Sequence, residues 1–214
     1  VVHALRVQNG LLYPEHFCNR FIRGGTSVDT CVVRVFNTHF SVNIHPSAFF
    51  EDTKTAREFD MAYTPLNSHE LSRMSGLKKL HASHFCETLD SSTTISFKAE
   101  LCNYKQRALI DASIAPQCFS LRTYSCATSG KTYGLADTFF YKHSLGKGAC
   151  GSIFIVDGMI QGMHVAAFDA TNDGFSRMLT RQMIEELLHC VPNQEKPTSF
   201  SVISEVADKY NLDW

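Results

Sequence analysis

Two antiparallel β-barrels in tandem, followed by one late helix, are the all-β architecture this sequence predicts, with a single β-sandwich of the same length as the rival. Three observations carry that expectation. Short runs rich in Val, Ile, Phe and Thr recur in two series, on either side of a weakly periodic stretch at residues 67–90. Helical periodicity is convincing only once, close to the C-terminus. The 214 residues are 44% hydrophobic and 19% charged, a composition that buries a core and argues against disorder.

The first series opens with Val2 to Val7, after which Asn9-Gly10 offers a type I′ hairpin turn. Leu11 to Tyr13 follows and Pro14 ends it. Thr30 to Phe36, Phe40 to Ile44 and Phe59 to Thr64 complete the series, separated by polar loops. The second series comprises Ile95 to Leu101, Ala108 to Ile114, Lys131 to Tyr141, Ser152 to Val156, Met159 to Ala167 and Phe175 to Leu179. Met183, Ile184, Leu187, Leu188 and Val191 then recur at helical spacing, with Thr180 as N-cap and Pro192 as terminator. The expected division is residues 1–90, residues 91–192 and a tail at 193–214. Because Val1 already stands in a strand-like run, the expectation is a product processed from something longer.

Lys plus Arg total 20 and Asp plus Glu total 21, so bulk charge announces no large nucleic-acid surface. No apolar run approaches the ~20 residues of a membrane span, and no signal-peptide pattern opens the chain, so the protein is expected to be soluble. Eight cysteines lie scattered with no CxxC pair; the nearest approach to a metal site is His81, His84 and Cys86, which lacks a second pair of ligands. The expectation is no metal, and reduced thiols in a cytosol-like compartment.

The chemistry concentrates in Gly146-Lys147-Gly148-Ala149-Cys150-Gly151-Ser152, which leads into the apolar Ile153 to Val156. Glycines on both sides of a cysteine describe a tight loop presenting a thiol, with backbone N–H groups free to converge on one concavity. Such a concavity stabilises the oxyanion of acyl transfer. The bland alternative is a glycine-rich hairpin with a buried cysteine. Gln161-Gly162-Met163-His164-Val165-Ala166-Ala167 then places an imidazole on the strand expected to pair with that of Cys150, where it lines a pocket or is a satisfied core histidine.

Together, the GxCG loop, the apolar strand, the short turn and GxHxA resemble the 3C-type chymotrypsin-like cysteine proteases of picorna-like viruses. The resemblance implies two six-stranded barrels, a Cys150 nucleophile, and an oxyanion hole from the backbone N–H groups of Gly148, Ala149 and Cys150. It implies that His164 lines a pocket for Gln, or sometimes Glu, together with Ser144, Leu145, Val165 and Ala166. Many relatives carry Thr where Leu145 stands here, so the second donor of that pocket departs from the pattern.

The general base implied by the resemblance is His16, in Leu11-Leu12-Tyr13-Pro14-Glu15-His16-Phe17, or His45, in Phe40-Ser41-Val42-Asn43-Ile44-His45-Pro46. The run from Phe59 to Leu66 resembles the strand that carries the acid at its head. Asp60 lies far enough from His16 for intervening strands but too close to His45, which favours His16 with Asp60; with His45, Glu70 becomes the acid. The resemblance further implies a viral polyprotein as substrate, no cofactor, and the host cell cytoplasm as the place of action. Some relatives bind viral RNA; Arg73, Lys78 and Lys79 lie where such a patch is found, against the plainer reading of a solvated loop.

Overall fold

In the computed structural model, β1 (Val2–Val7) turns back into β2 (Gly10–Pro14) through Gln8 and Asn9. The structure describes residues 2–17, 30–35, 38–43, 48–52, 57–87, 95–102, 107–114, 123–125, 130, 132–134, 138–142, 149–168 and 170–190. The first turn thus falls one residue earlier than Asn9-Gly10. Gln8 takes φ +51°, while Gly10 already faces Val7 in the ladder. Gly10 is there for space: a Cβ at this position would stand 2.2 Å from the Tyr63 ring on the neighbouring strand.

The remaining strands of the first half are β3 (Thr30–Val35), β4 (Thr38–Asn43), β5 (Ala48–Asp52) and β6 (Arg57–Pro65). With β1 and β2 they form one six-stranded sheet in the order β4-β3-β1-β2-β6-β5. The expected closure is not seen here, and one pairing differs from the expectation. Among the described residues this sheet does not close into a barrel: β4 and β5 are its two edges. Nor is it wholly antiparallel, because β1 and β3 pair in parallel. The reason is topological. β2 gives its second edge to β6, so β3 takes the free edge of β1, and as the next strand but one it runs in the same direction.

The second half does close. Strands β7 (Ile95–Cys102), β8 (Arg107–Ile114), β11 (Thr138–Lys142), β12 (Ile153–Val156), β13 (Met159–Phe168) and β14 (Asp173–Met178) form a barrel in the order β11-β14-β13-β12-β7-β8, and β8 returns to β11. Alternation fills it. Ala99, Leu101, Ile110, Ala112, Phe139, Tyr141, Phe154 and Met178 pack inside, while Lys98, Arg107 and Asp111 stand on the outside. The expected single strand from 131 to 141 is two: β10 (Thr132–Gly134) pairs with β9 (Thr123–Ser125) as a separate hairpin that packs on β6 of the first half, and β11 belongs to the barrel.

A short helix, Ser68–Arg73, interrupts the stretch between the halves. The Asn67 side chain caps it by accepting from Glu70 N–H, and the Glu70 carboxylate accepts from Asn67 N–H. The C-terminal helix, Arg181–Cys190, begins where expected, with Thr180 Oγ1 accepting from Met183 N–H. The largest buried cluster joins the halves: Leu5, Leu12, Met61 and Tyr63 of the first sheet pack with Tyr124, Met163, Val165 and Leu187 of the second half.

Gly10→Ala should therefore lower the unfolding free energy by about 2 kcal/mol, an overpacking cost, with the denaturant slope unchanged. Urea titration checks it; a variant as stable as wild type would mean that Tyr63 gives way freely.

Candidate active site

Three side chains that the sequence scatters over 134 positions meet where the halves join. Past Pro14 the chain enters a 3-10 turn, Glu15–Phe17, and Phe17 buries itself in the sheet's second core cluster, which anchors the turn. His16 is thereby held against Asp60 of β6. The two oxygens of that carboxylate are both used: Oδ1 accepts from the His16 backbone N–H at 2.7 Å, and Oδ2 lies 2.6 Å from His16 Nδ1.

Asp60 reaches this position through an irregularity. The register of β5 with β6 slips between Phe49 and Glu51, whose partners Ala62 and Glu58 lie four positions apart. Inside that bulge Asp60 adopts φ +53°, the left-handed region that Asp enters more readily than bulky residues. Asp60 is completely buried, and the Tyr124 hydroxyl of β9 donates a further short hydrogen bond to Oδ2.

Cys150 sits in a turn that its neighbours dictate. Ser152 N–H donates to Ala149 O at 3.0 Å, closing a four-residue turn, and Gly151 takes φ +90° at its third position. Only glycine suits the spot twice over. That conformation disfavours side chains, and a Cβ would lie 2.4 Å from the carbonyl oxygen of His3 in β1. The turn is pinned to β13 by Gly151 N–H donating to His164 O and His164 N–H donating to Ser152 O, both at 2.8 Å. A bulge at Val165, where β13 slips against β14, turns the Val165 carbonyl toward Cys150, and Sγ donates to it at 3.5 Å. The half-buried thiol also interacts with the His16 ring, favouring its protonated form.

The electrostatics follow from this contact set. Burial works against an imidazolium at His16, but hydrogen bonds and charge from Asp60 and Cys150 outweigh it and hold its pKa up to about 10. Burial, reinforced by the Asp60 charge, pushes the Tyr124 phenol well above its ordinary range, so it remains a proton donor.

His164 is buried on the strand segment that pairs with the Cys150 turn. Its Nδ1 lies 2.5 Å from the Tyr141 hydroxyl, which lies 2.8 Å from Ser176 Oγ. Burial raises the Tyr141 pKa, against a smaller lowering by Ser176, so the phenol keeps its proton. If Ser176 donates to the phenol oxygen, Tyr141 donates its own proton to Nδ1 and the imidazole hydrogen sits on Nε2.

The structure thus brings His16, Asp60 and Cys150 together and sets His164 beside them. Ser144, Leu145, Gly148 and the alternative base His45 lie outside the described residues. Ala149 is buried in the Cys150 turn, and the Val165 and Ala166 side chains belong to the inter-half core, so Val165 meets the site through its carbonyl. Glu70, the alternative acid, caps its own helix. Arg73 lies in the last turn of that helix, where a cation complements the dipole, and Lys78 and Lys79 are half-buried. Among the described residues no group of three His, Cys, Asp or Glu is placed to hold a metal; His81 Nδ1 instead pairs with Gln8 Nε2 at 2.6 Å. Sequence reasoning missed Tyr124, Tyr141 and Ser176. A tyrosine in a strand is too ordinary a signal to single out.

Two expectations follow. Gly151→Ala should lose ~2 kcal/mol or more of stability, and with it the reactivity of the Cys150 thiol, measurable by denaturation and by alkylation rate. A group whose pKa rises on folding adds stability that is complete below its ordinary pKa of about 6.5 and vanishes as pH climbs through its folded value. The stability gap between wild type and Asp60→Asn should accordingly narrow from about pH 6.5 toward about pH 10. A gap constant over that range would show that His16 is not held charged.

No family model matches the sequence, and the search of curated proteins gives no match. Solved structures do match. The HRV-C 3C protein with rupintrivir aligns over 84% of this chain and 85% of its own, with a TM-score of 0.54 at 14% identity. A point mutant of the tobacco etch virus protease aligns over 88% and 71%, with a TM-score of 0.51 at 14% identity. At that identity the likeness speaks for the backbone alone. The chain has the fold of the 3C-type chymotrypsin-like cysteine proteases.

Proposed function

We propose that this protein is a viral cysteine endopeptidase that cleaves a polyprotein after Gln, and less readily after Glu, in the host cell cytoplasm. The observation that carries the reading is the meeting of three side chains where the halves join: His16 Nδ1 is held on Asp60 Oδ2, and the Cys150 thiol interacts with the same ring. On this reading Cys150 attacks the scissile carbonyl as a thiolate, its proton held by His16. His16 then delivers a proton to the leaving amine. Asp60 fixes the tautomer by accepting from Nδ1, which leaves Nε2 for the sulfur and the amine. Backbone N–H groups of Gly148, Ala149 and Cys150 receive the oxyanion.

Specificity on this reading comes from His164. With Tyr141 donating to its Nδ1, the ring carries its hydrogen on Nε2, a donor of the kind that suits the carbonyl oxygen of a Gln side chain. Glu fits less well at neutral pH, because its charge asks for a protonated ring. Residues 1–90 supply the base and acid, and residues 91–192 supply the nucleophile and pocket. Arg73, Lys78 and Lys79 lie outside this reading.

The test is incubation with a peptide library, with cleavage sites read by mass spectrometry. Gln before the cut bond should be preferred over Leu or Lys by about a thousandfold, since a buried donor left unpaired is costly. Cys150→Ala should abolish cleavage and leave the fold intact; activity above about a hundredth of wild type removes Cys150 from the role. His164→Ala should slow cleavage after Gln by roughly a hundredfold while Cys150 alkylates at an unchanged rate. Preference for a basic or large apolar residue would refute the pocket.

A further inference from the structure

We propose that Tyr124, carried by the β9–β10 hairpin of the second half, is a positioning residue for Asp60 of the first half, and that Arg177 fixes the hairpin that carries it. Its kinetic arm rests on the protease reading; its geometry does not.

The hairpin is a two-stranded arm outside the barrel that packs on β6. Tyr124 pairs with Tyr133 across it, and the two rings stack at 5.3 Å in the core shared by the halves. At this point the Tyr124 hydroxyl meets Asp60 Oδ2, the oxygen that also faces His16 Nδ1. Behind the arm, the Arg177 guanidinium of β14 is almost wholly buried and donates from Nη2 to Gly134 O at 2.6 Å, where Gly134 pairs with Thr123. A physical series therefore runs from the barrel wall through Arg177, Gly134 and Tyr124 to Asp60, His16 and Cys150.

A tyrosine that merely buried its ring would need some acceptor, but not this one. Asp60 stands in a left-handed conformation within a bulge, a strained backbone that persists only where its surroundings over-determine it. His16 holds the carboxylate from one half and Tyr124 from the other. The hydroxyl also draws negative charge away from the oxygen that faces the imidazole, so Tyr124 tunes how strongly Asp60 supports imidazolium. The titratable or charged groups interacting with Tyr124 and Asp60 are His16, Cys150 and Arg177, with the Tyr133 ring alongside.

The experiment follows the His16 ring by NMR on histidine-labelled protein as pH is raised, in wild type, Tyr124→Phe, Asp60→Asn and the double variant. In Tyr124→Phe the His16 midpoint should rise by roughly half a pH unit or more, because Asp60 then gives its full charge to the ring. In the Asp60→Asn background the same substitution should move nothing, since its effect acts through the carboxylate. Arg177→Lys, which loosens the hairpin, is the second variant and should move the midpoint the same way by less. With a peptide cleaved by wild type, Tyr124→Phe should lower kcat about tenfold and leave KM within about twofold. An unmoved midpoint, or equal movement in both backgrounds, overturns the positioning role even where peptides are cleaved. A midpoint that moves in a protein that cleaves no peptide supports positioning and refutes the protease reading.

Discussion

A carboxylate sealed from water must be given hydrogen-bond donors by the protein itself, and that demand at Asp60 shapes much of what surrounds it. Three donors answer it: the backbone N–H of His16, its Nδ1–H, and the Tyr124 hydroxyl. Supplying them takes a bulge in β6, a left-handed residue inside the bulge, a 3-10 turn after β2 and a hairpin sent across from the other half. The left-handed backbone costs on the order of 1–3 kcal/mol, and charge-assisted hydrogen bonds of about 1.5–3 kcal/mol each offset it. Remove the carboxylate and the strain loses its compensation.

The same junction explains why the halves cannot be treated as independent. Their shared core is the largest cluster among the described residues, and the Cys150 turn lies so close to β1 that Gly151 has no room for a side chain. Surface ion pairs contribute little beside this. Lys98 with Asp111 and Arg107 with Glu100 decorate the outside of the barrel, where solvent screens them. Burial and the hydrogen-bonded centre carry the architecture, and both lie between the halves.

Much of this could be read beforehand, and the misses have causes. Alternating apolar runs placed eleven of the fourteen described strands and the C-terminal helix, because those elements bury one face against a core. β9 and β10 are three residues each, shorter than any period can register, so the hairpin that delivers Tyr124 was invisible. The strand at Ala48–Asp52 ends in two acids that mask it as loop. The Asn67–Glu70 capping box stood in plain view and a search for caps would have found the short helix. The parallel pairing of β1 with β3 depends on which edge β6 occupies, and no local pattern encodes that. Cys150 and His164 stood out in their own motifs, His16 and Asp60 were legible only through a resemblance, and the tyrosines hydrogen-bonded to Asp60 and His164 were not legible at all.

The state of His16 bears on why a thiol, and not a hydroxyl, stands at position 150. A base must be neutral to accept a proton, yet Asp60 and Cys150 hold this ring's pKa up to about 10, which keeps it charged at neutral pH. An imidazolium cannot take a proton from serine, whose hydroxyl ionises far too reluctantly to surrender it beforehand. A thiol is different, because it ionises far more readily than a hydroxyl and, on the protease reading, attacks as the thiolate. The ring then enters the reaction already loaded with the proton that the leaving amine requires. On the protease reading, the tight grip of His16 N–H, His16 Nδ1 and Tyr124 on Asp60 therefore favours cysteine chemistry, and would work against the same site if Cys150 were exchanged for serine.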